Sequence, residues 1–184
     1  MEVTLLIICL GDATATVREW ADATDAEVSG PAGMTMLGSP ASADGSFFTV
    51  RVDGLAGSGS AISLGLQGAR PSSAPTLLGR TWAGAVWIGA DLAAYAVDLR
   101  SGRVTESNFE SPFMEFFVSR KLDVLAVVHE SGMRCFNNDG SERWRADTDL
   151  IEDLRWSEEA VTVEQLGRHP VVISLADGIG VTDE

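Results

Sequence analysis

Three times along the chain an alternating apolar run ends in a glycine turn. The copies are Tyr95-Ala96-Val97-Asp98-Leu99-Arg100-Ser101-Gly102, Met133-Arg134-Cys135-Phe136-Asn137-Asn138-Asp139-Gly140 and Val171-Val172-Ile173-Ser174-Leu175-Ala176-Asp177-Gly178. Their glycines lie 38 residues apart (140 − 102 and 178 − 140), with no insertion to break register. Alternation at period two predicts a half-buried strand, because successive side chains leave a strand on opposite faces. A second strand precedes each glycine-ended one: Val86-Trp87-Ile88, Val124-Leu125-Ala126 and Thr162-Val163-Glu164, again 38 apart. The turns between them are Gly89-Ala90-Asp91, His129-Glu130-Ser131-Gly132 and Leu166-Gly167-Arg168-His169-Pro170. A weaker upstream element is written Phe113-Met114-Glu115-Phe116-Phe117 and Ile151-Glu152-Asp153-Leu154-Arg155-Trp156. Each unit therefore reads as about three short antiparallel strands, the layout of a propeller blade at roughly 40 residues. No helical period is visible past residue 80.

The first 75 residues follow a looser pattern. Val3 to Leu10 is an apolar run rich in Val, Ile and Thr, and it predicts a buried strand. Thr14 to Trp20 alternates loosely and can pair back on it. Phe48, Val50 and Val52 share one face, as do Ile62, Leu64 and Leu66, which predicts a β-hairpin across the Gly54–Ser60 loop. Ala21 to Gly33 reads as a loop or short helix, and Gly38 to Gly45 as a turn cluster. Ala69 to Pro75 is a Pro/Ser/Ala connector. It divides a 1–75 hairpin region, a cap or degenerate repeat, from a 76–184 repeat region, the two forming one compact unit.

The aliphatic-x-aliphatic-Asp-x-x-x-Gly turn of Tyr95–Gly102, and Asn138-Asp139-Gly140-Ser141-Glu142-Arg143-Trp144 with its following Trp, resemble the repeat of quinoprotein-like, pyrroloquinoline-quinone-type β-propellers. The resemblance covers about residues 80–184 and implies a fold without an activity. Only Trp144 fills the tryptophan position, with Glu106 and Thr182 at its equivalents, and no quinone- or metal-binding residue carries over. The expected class is an all-β antiparallel meander, a partial or small propeller-like array; the alternative is an open twisted sheet or sandwich.

Composition narrows the partners. Thirteen basic residues against 27 acidic give a net charge of −14, and Lys121 is the single lysine. That charge repels phosphate backbones and anionic membrane surfaces, so nucleic acid and membrane are disfavoured and a basic protein is the partner electrostatics would choose. Cys9 and Cys135 make no disulfide framework, and Cys135 stands at an apolar position of its strand. The apolar N-terminal run has only Glu2 before it, where a signal peptide carries positive charge. These features place the protein in the cytoplasm.

Chemistry is sparse. Gly57-Ser58-Gly59-Ser60 lacks the lysine of a phosphate loop, and Asn137–Gly140 lacks the spacing of a calcium loop. Two histidines and two distant cysteines give no zinc pattern. No catalytic, cofactor-binding or metal residue is assigned, and no cofactor is expected. His129 reads as a turn or surface residue, and His169 as part of a structural loop. What stands out is acidity between repeats: Asp147, Asp149, Glu152, Asp153, Glu158 and Glu159, with Trp144 nearby as an anchor. The reading is a non-catalytic protein-binding module, in its concrete version an immunity- or antitoxin-type inhibitor of a basic partner. The alternatives are a small-ligand sensor or enzyme using Asp91, His129 and Glu130 on equivalent turns, and an accessory scaffold.

Overall fold

The computed structural model describes residues 3–10, 13–20, 35–37, 47–53, 62–67 and 74–182. The loops expected over Ala21–Gly33, Gly38–Gly45 and Gly54–Ser60, and most of the Ala69–Pro75 connector, lie outside them. The protein is all-β, with no helix among the described residues, so none long and apolar enough to cross a membrane. It divides into two compact units, Met1–Asn108 and Phe109–Glu184.

In the first unit, β1 (Val3–Leu10), β2 (Ala13–Trp20), β3 (Thr35–Leu37), β4 (Phe47–Asp53) and β5 (Ile62–Gln67) form one sheet in the order β1-β2-β4-β5-β3. The expected hairpins are present: β1 pairs antiparallel with β2, and β4 with β5. The buried-strand reading of β1 needs correction, since β1 is a sheet edge with Ile7 62% exposed and Cys9 exposed. A continuous apolar run signals burial on both faces only where both are covered, and the run itself does not contain that information. Val17, Val50, Val52 and Leu64 from this sheet are buried against Val86, Ile88, Tyr95 and Val97 of the first repeat. That repeat is the sheet β6 (Thr76–Leu77), β7 (Ala85–Ala90), β8 (Ala93–Asp98) and β9 (Val104–Asn108), paired in chain order.

The second unit holds two more sheets of the same plan. One is β10 (Phe113–Ser119), β11 (Val124–His129), β12 (Gly132–Asn137) and β13 (Glu142–Asp147). The other is β14 (Ile151–Trp156), β15 (Ala160–Gln165), β16 (Val171–Ser174) and β17 (Gly180–Thr182). Each repeat is thus a four-stranded antiparallel meander. The three-strand expectation missed β9, β13 and β17 because an outer strand buries little and carries only a weak apolar pattern: Val104-Thr105-Glu106-Ser107-Asn108 is mostly exposed.

Gly102, Gly140 and Gly178 all take positive φ (73°, 81°, 75°), the conformation for which glycine is selected at these turns. The repeat extends to irregularities that the apolar pattern does not show. The β10–β11 ladder slips by one residue between Phe113 and Glu115, and the β14–β15 ladder between Ile151 and Asp153. The bulged residues, Met114 and Glu152, are again 38 apart.

Two apolar clusters join the sheets of the second unit. Val128 and Met133 pack with Ile151, Val161, Val163 and Ile173, and Val124, Ala126 and Cys135 pack with Leu175. Each such aliphatic side chain contributes about 1.5–3 kcal/mol on burial. An exposed ion pair such as Arg168–Asp149 contributes about 1 kcal/mol or less, so the apolar layer dominates. Directional contacts then set the alignment. Trp144 Nε1 donates to the Leu175 carbonyl at 3.1 Å, Arg143 Nε to the Ala176 carbonyl at 2.8 Å, and Trp156 Nε1 to Glu115 Oε1 at 2.6 Å. The Trp156 ring also stacks on Phe117, with centroids 4.2 Å apart.

Candidate functional site

The acidic run separates into two groups with different surroundings. Glu158 and Glu159 follow β14 and are held by the β10–β11 turn. The Glu158 carboxylate accepts from the backbone N–H of Arg120 (2.8 Å) and Lys121 (3.1 Å) and from the Ser119 hydroxyl (3.2 Å). Those donors, the Lys121 N–H foremost, hold its carboxyl below the usual range. Glu159 pairs with Lys121. Asp147, Asp149, Glu152 and Asp153 lie at the other end of β14, around the β13–β14 connection, and all four are exposed. The remainder of β14 beyond Asp153, about 10 Å of strand, separates the two groups.

Trp144 is half-buried, and its ring lies against Gly178 of the following repeat, where an added Cβ would fall 2.7 Å from the indole. Its anchoring partner in this structure is therefore the next sheet. Beside the Asp147–Asp153 group stand two exposed leucines, Leu150 (46%) and Leu166 (57%). They face each other across the β14–β15 ladder, with Leu166 N–H donating to the Leu150 carbonyl at 2.9 Å. The charge pattern identified the carboxylates. The leucines were not legible, because a single Leu beside a strand end reads as core.

A second constellation lies at the β11–β12 turn end of the β10–β13 sheet, and it includes Met133 of the inter-sheet core. Phe109, Glu110, His129, Ser131, Met133, Arg134, Arg145, Asp147 and Thr148 surround a cleft of about 470 Å³. His129 does flank the turn, at the end of β11, but it is buried instead of at the surface, only 7% exposed. Its imidazole stacks on Phe109 (centroids 4.9 Å, 13° between planes), and its Nδ1 lies 2.9 Å from the Ser111 hydroxyl. Ser111 Oγ is also 2.7 Å from Ser131 Oγ and accepts the Ser131 N–H at 3.0 Å. The two-residue turn Glu130-Ser131 permits this, since Gly132 leaves room for the ring: a Cβ there would meet the Ala146 carbonyl at 2.6 Å and His129 Cε1 at 3.0 Å. Burial, reinforced by Arg134, lowers the His129 pKa, against smaller opposing pulls from Asp147 and Glu110.

A one-residue slip decides which side chains enter this cleft. Phe136 pairs with Glu142, but Cys135 pairs with Trp144 and Arg134 with Arg145, so Arg143 is bulged. Without the bulge Trp144 would stand opposite Arg134. With it, Trp144 turns to the Cys135 face and the next sheet, and Arg145 comes opposite Arg134. Arg134 lies over the Phe109 ring at 5.2 Å and 3.7 Å from Glu142. Of the other turn residues considered for a ligand, Glu130 is in the second unit with His129 and Asp91 is in the first. His169 is exposed beside Pro170, away from this cleft. Among the described residues no His/Cys/Asp/Glu cluster is placed to hold a metal ion.

No protein-family model matches the chain, and no curated protein matches it. Solved structures do. The computationally designed Ika8 protein is 13% identical with a TM-score of 0.48, over 98% of this chain and 61% of its own. BamB from Moraxella catarrhalis is 10% identical with a TM-score of 0.48, over 98% and 65%. HIRA(644-1017) is 6% identical with a TM-score of 0.45, over 98% and 55%. The chain spans about three fifths of the length of these structures.

Proposed function

We propose that this chain is a non-catalytic binding protein whose acidic surface docks onto a basic protein partner, in the manner of an immunity- or antitoxin-type inhibitor. The observation that carries this reading is the exposed Leu150–Leu166 pair bordered by Asp147, Asp149, Glu152 and Asp153. An apolar centre inside a charged rim is the anatomy of a protein interface, where the centre supplies affinity and the rim supplies steering and selectivity. The net charge of −14 extends the attraction for a cationic surface beyond the contact itself. The scaffold is read as a quinoprotein-type blade array, on the strength of the positive-φ glycine turns and of Trp144 seated on the next repeat's turn. The free thiols of Cys9 and Cys135 support a reducing, cytoplasmic setting.

The test is capture of partners from the native lysate on the immobilised protein at low and high salt, with bound proteins identified by mass spectrometry. The expected result is one basic protein near one-to-one, released by salt and lost from both Leu166→Asp and the double variant Glu152→Lys/Asp153→Lys. A captured protein that ignores salt and both variants, or no captured protein at all, sinks the reading.

A further inference from the structure

We infer that the cleft beside the β11–β12 turn binds a small oxyanion, a phosphoryl or carboxylate head group, between the guanidinium groups of Arg134 and Arg145. The site shares Asp147 with the rim of the docking surface proposed above, but it does not depend on that reading.

Three observations converge. Arg134 and Arg145 are direct cross-strand partners in register, so their side chains leave the same face of the sheet within about 5 Å of each other at Cβ. Like charges in that relation are destabilising; Arg134 is also drawn to Glu142, 3.7 Å away, and that contact leaves the Arg145 charge in place. No hydrogen bond or ion pair engages the Arg145 guanidinium among the described residues, and it lines the cleft. Lastly, Thr148 lines the same cleft and its hydroxyl is buried without a hydrogen-bond partner, which is costly unless something arrives to accept from it.

Two opposed guanidinium forks and a hydroxyl make a donor set suited to several oxygens on one atom or one carboxylate. The cleft volume, about 470 Å³, is that of a small-molecule site and exceeds what an inorganic ion fills, so the head group belongs to a small organic molecule. Glu110 and Asp147 border the same cleft. Their charge disfavours extended polyanions and favours a compact oxyanion head group. His129 closes one side. Its burial favours the neutral ring, and its Nδ1 is engaged with Ser111, so it shapes the wall while the arginines carry the charge.

Calorimetric titration of the intact protein with inorganic phosphate, with succinate and with polyphosphate, at constant ionic strength, tests the inference. Saturable binding of phosphate or succinate is expected, weakened about tenfold or more by Arg145→Gln and several-fold by Thr148→Val, as loss of a charge-assisted and a neutral donor requires. Preference for phosphate identifies a phosphoryl head group, and preference for succinate a carboxylate one. Arg145→Gln is also expected to raise the Tm of the unliganded protein, because it relieves the like-charge pair; this readout shows that the variant is folded. The inference is overturned if neither probe saturates by about 10 mM, a range that still admits the weakest specific sites. It is equally overturned if Arg145→Gln binds as wild type does, or if polyphosphate outcompetes both small anions.

Discussion

His129 is the residue at which pH and stability meet. Its folded pKa is lowered by burial, so the folded state binds fewer protons than the unfolded chain below the ordinary value of 6.5. The sign follows: the stabilisation is complete above pH 6.5 and is lost as pH falls below it. Urea denaturation between pH 7 and 5 is expected to show declining stability for the wild type, and a flatter profile for His129→Gln. Asp98, Asp139, Glu158 and Asp177, whose carboxyls are held low by hydrogen bonds, lose their contribution only below about pH 4.5, so the two effects occupy separate windows. Gly178 is a second sensitive position. It needs positive φ, and a methyl group there would strike the Trp144 ring at 2.7 Å. Gly178→Ala is expected to cost roughly 2–4 kcal/mol, measured as a lowered urea midpoint at unchanged m-value.

Among the elements, one two-residue turn is written with an unfavourable residue. Ala83 and Gly84 take consecutive positive φ (53° and 70°), the type I′ geometry for which Asn-Gly or Gly-Gly is preferred. A β-carbon in the left-handed region costs about 1 kcal/mol, and Ala83→Gly is expected to recover up to that amount as a higher urea midpoint. The strand pairs that bury alternating faces were legible from spacing alone: β7 with β8, β11 with β12 and β15 with β16 fall where the 38-residue period puts them. The outer strands were not, since Glu142-Arg143-Trp144-Arg145-Ala146-Asp147 alternates only at Trp144 and Ala146 amid charged residues and forms a strand because β12 presents it an open edge. Bulges are equally silent in the sequence. Nothing in Arg143 announces that it will be the extra residue, yet its placement assigns Trp144 to the core and Arg145 to the cleft.

For the whole molecule, the balance of 27 acidic to 13 basic residues stores self-repulsion in the compact state. Added sodium chloride shortens the range of that repulsion, so Tm is expected to rise from about 0.01 M to 0.15 M salt, as the screening length falls from about 30 Å to 8 Å. A Tm that falls over this interval would mean that local ion pairs such as Arg168–Asp149 and Arg51–Asp53 outweigh the global term. By itself the sequence determined what depends on local geometry and composition: the all-β class, the 38-residue period, the glycine turns and the sign of the surface charge. These follow from side-chain alternation and turn conformations that neighbouring residues impose on one another. Only tertiary structure decided the burial of His129, the division of the acidic run, the apolar step at Leu150 and Leu166, and the meeting of Arg134 with Arg145. Each depends on which strand pairs with which, and in what register, and a slip of one residue exchanges the two faces of a strand while leaving its sequence pattern unchanged.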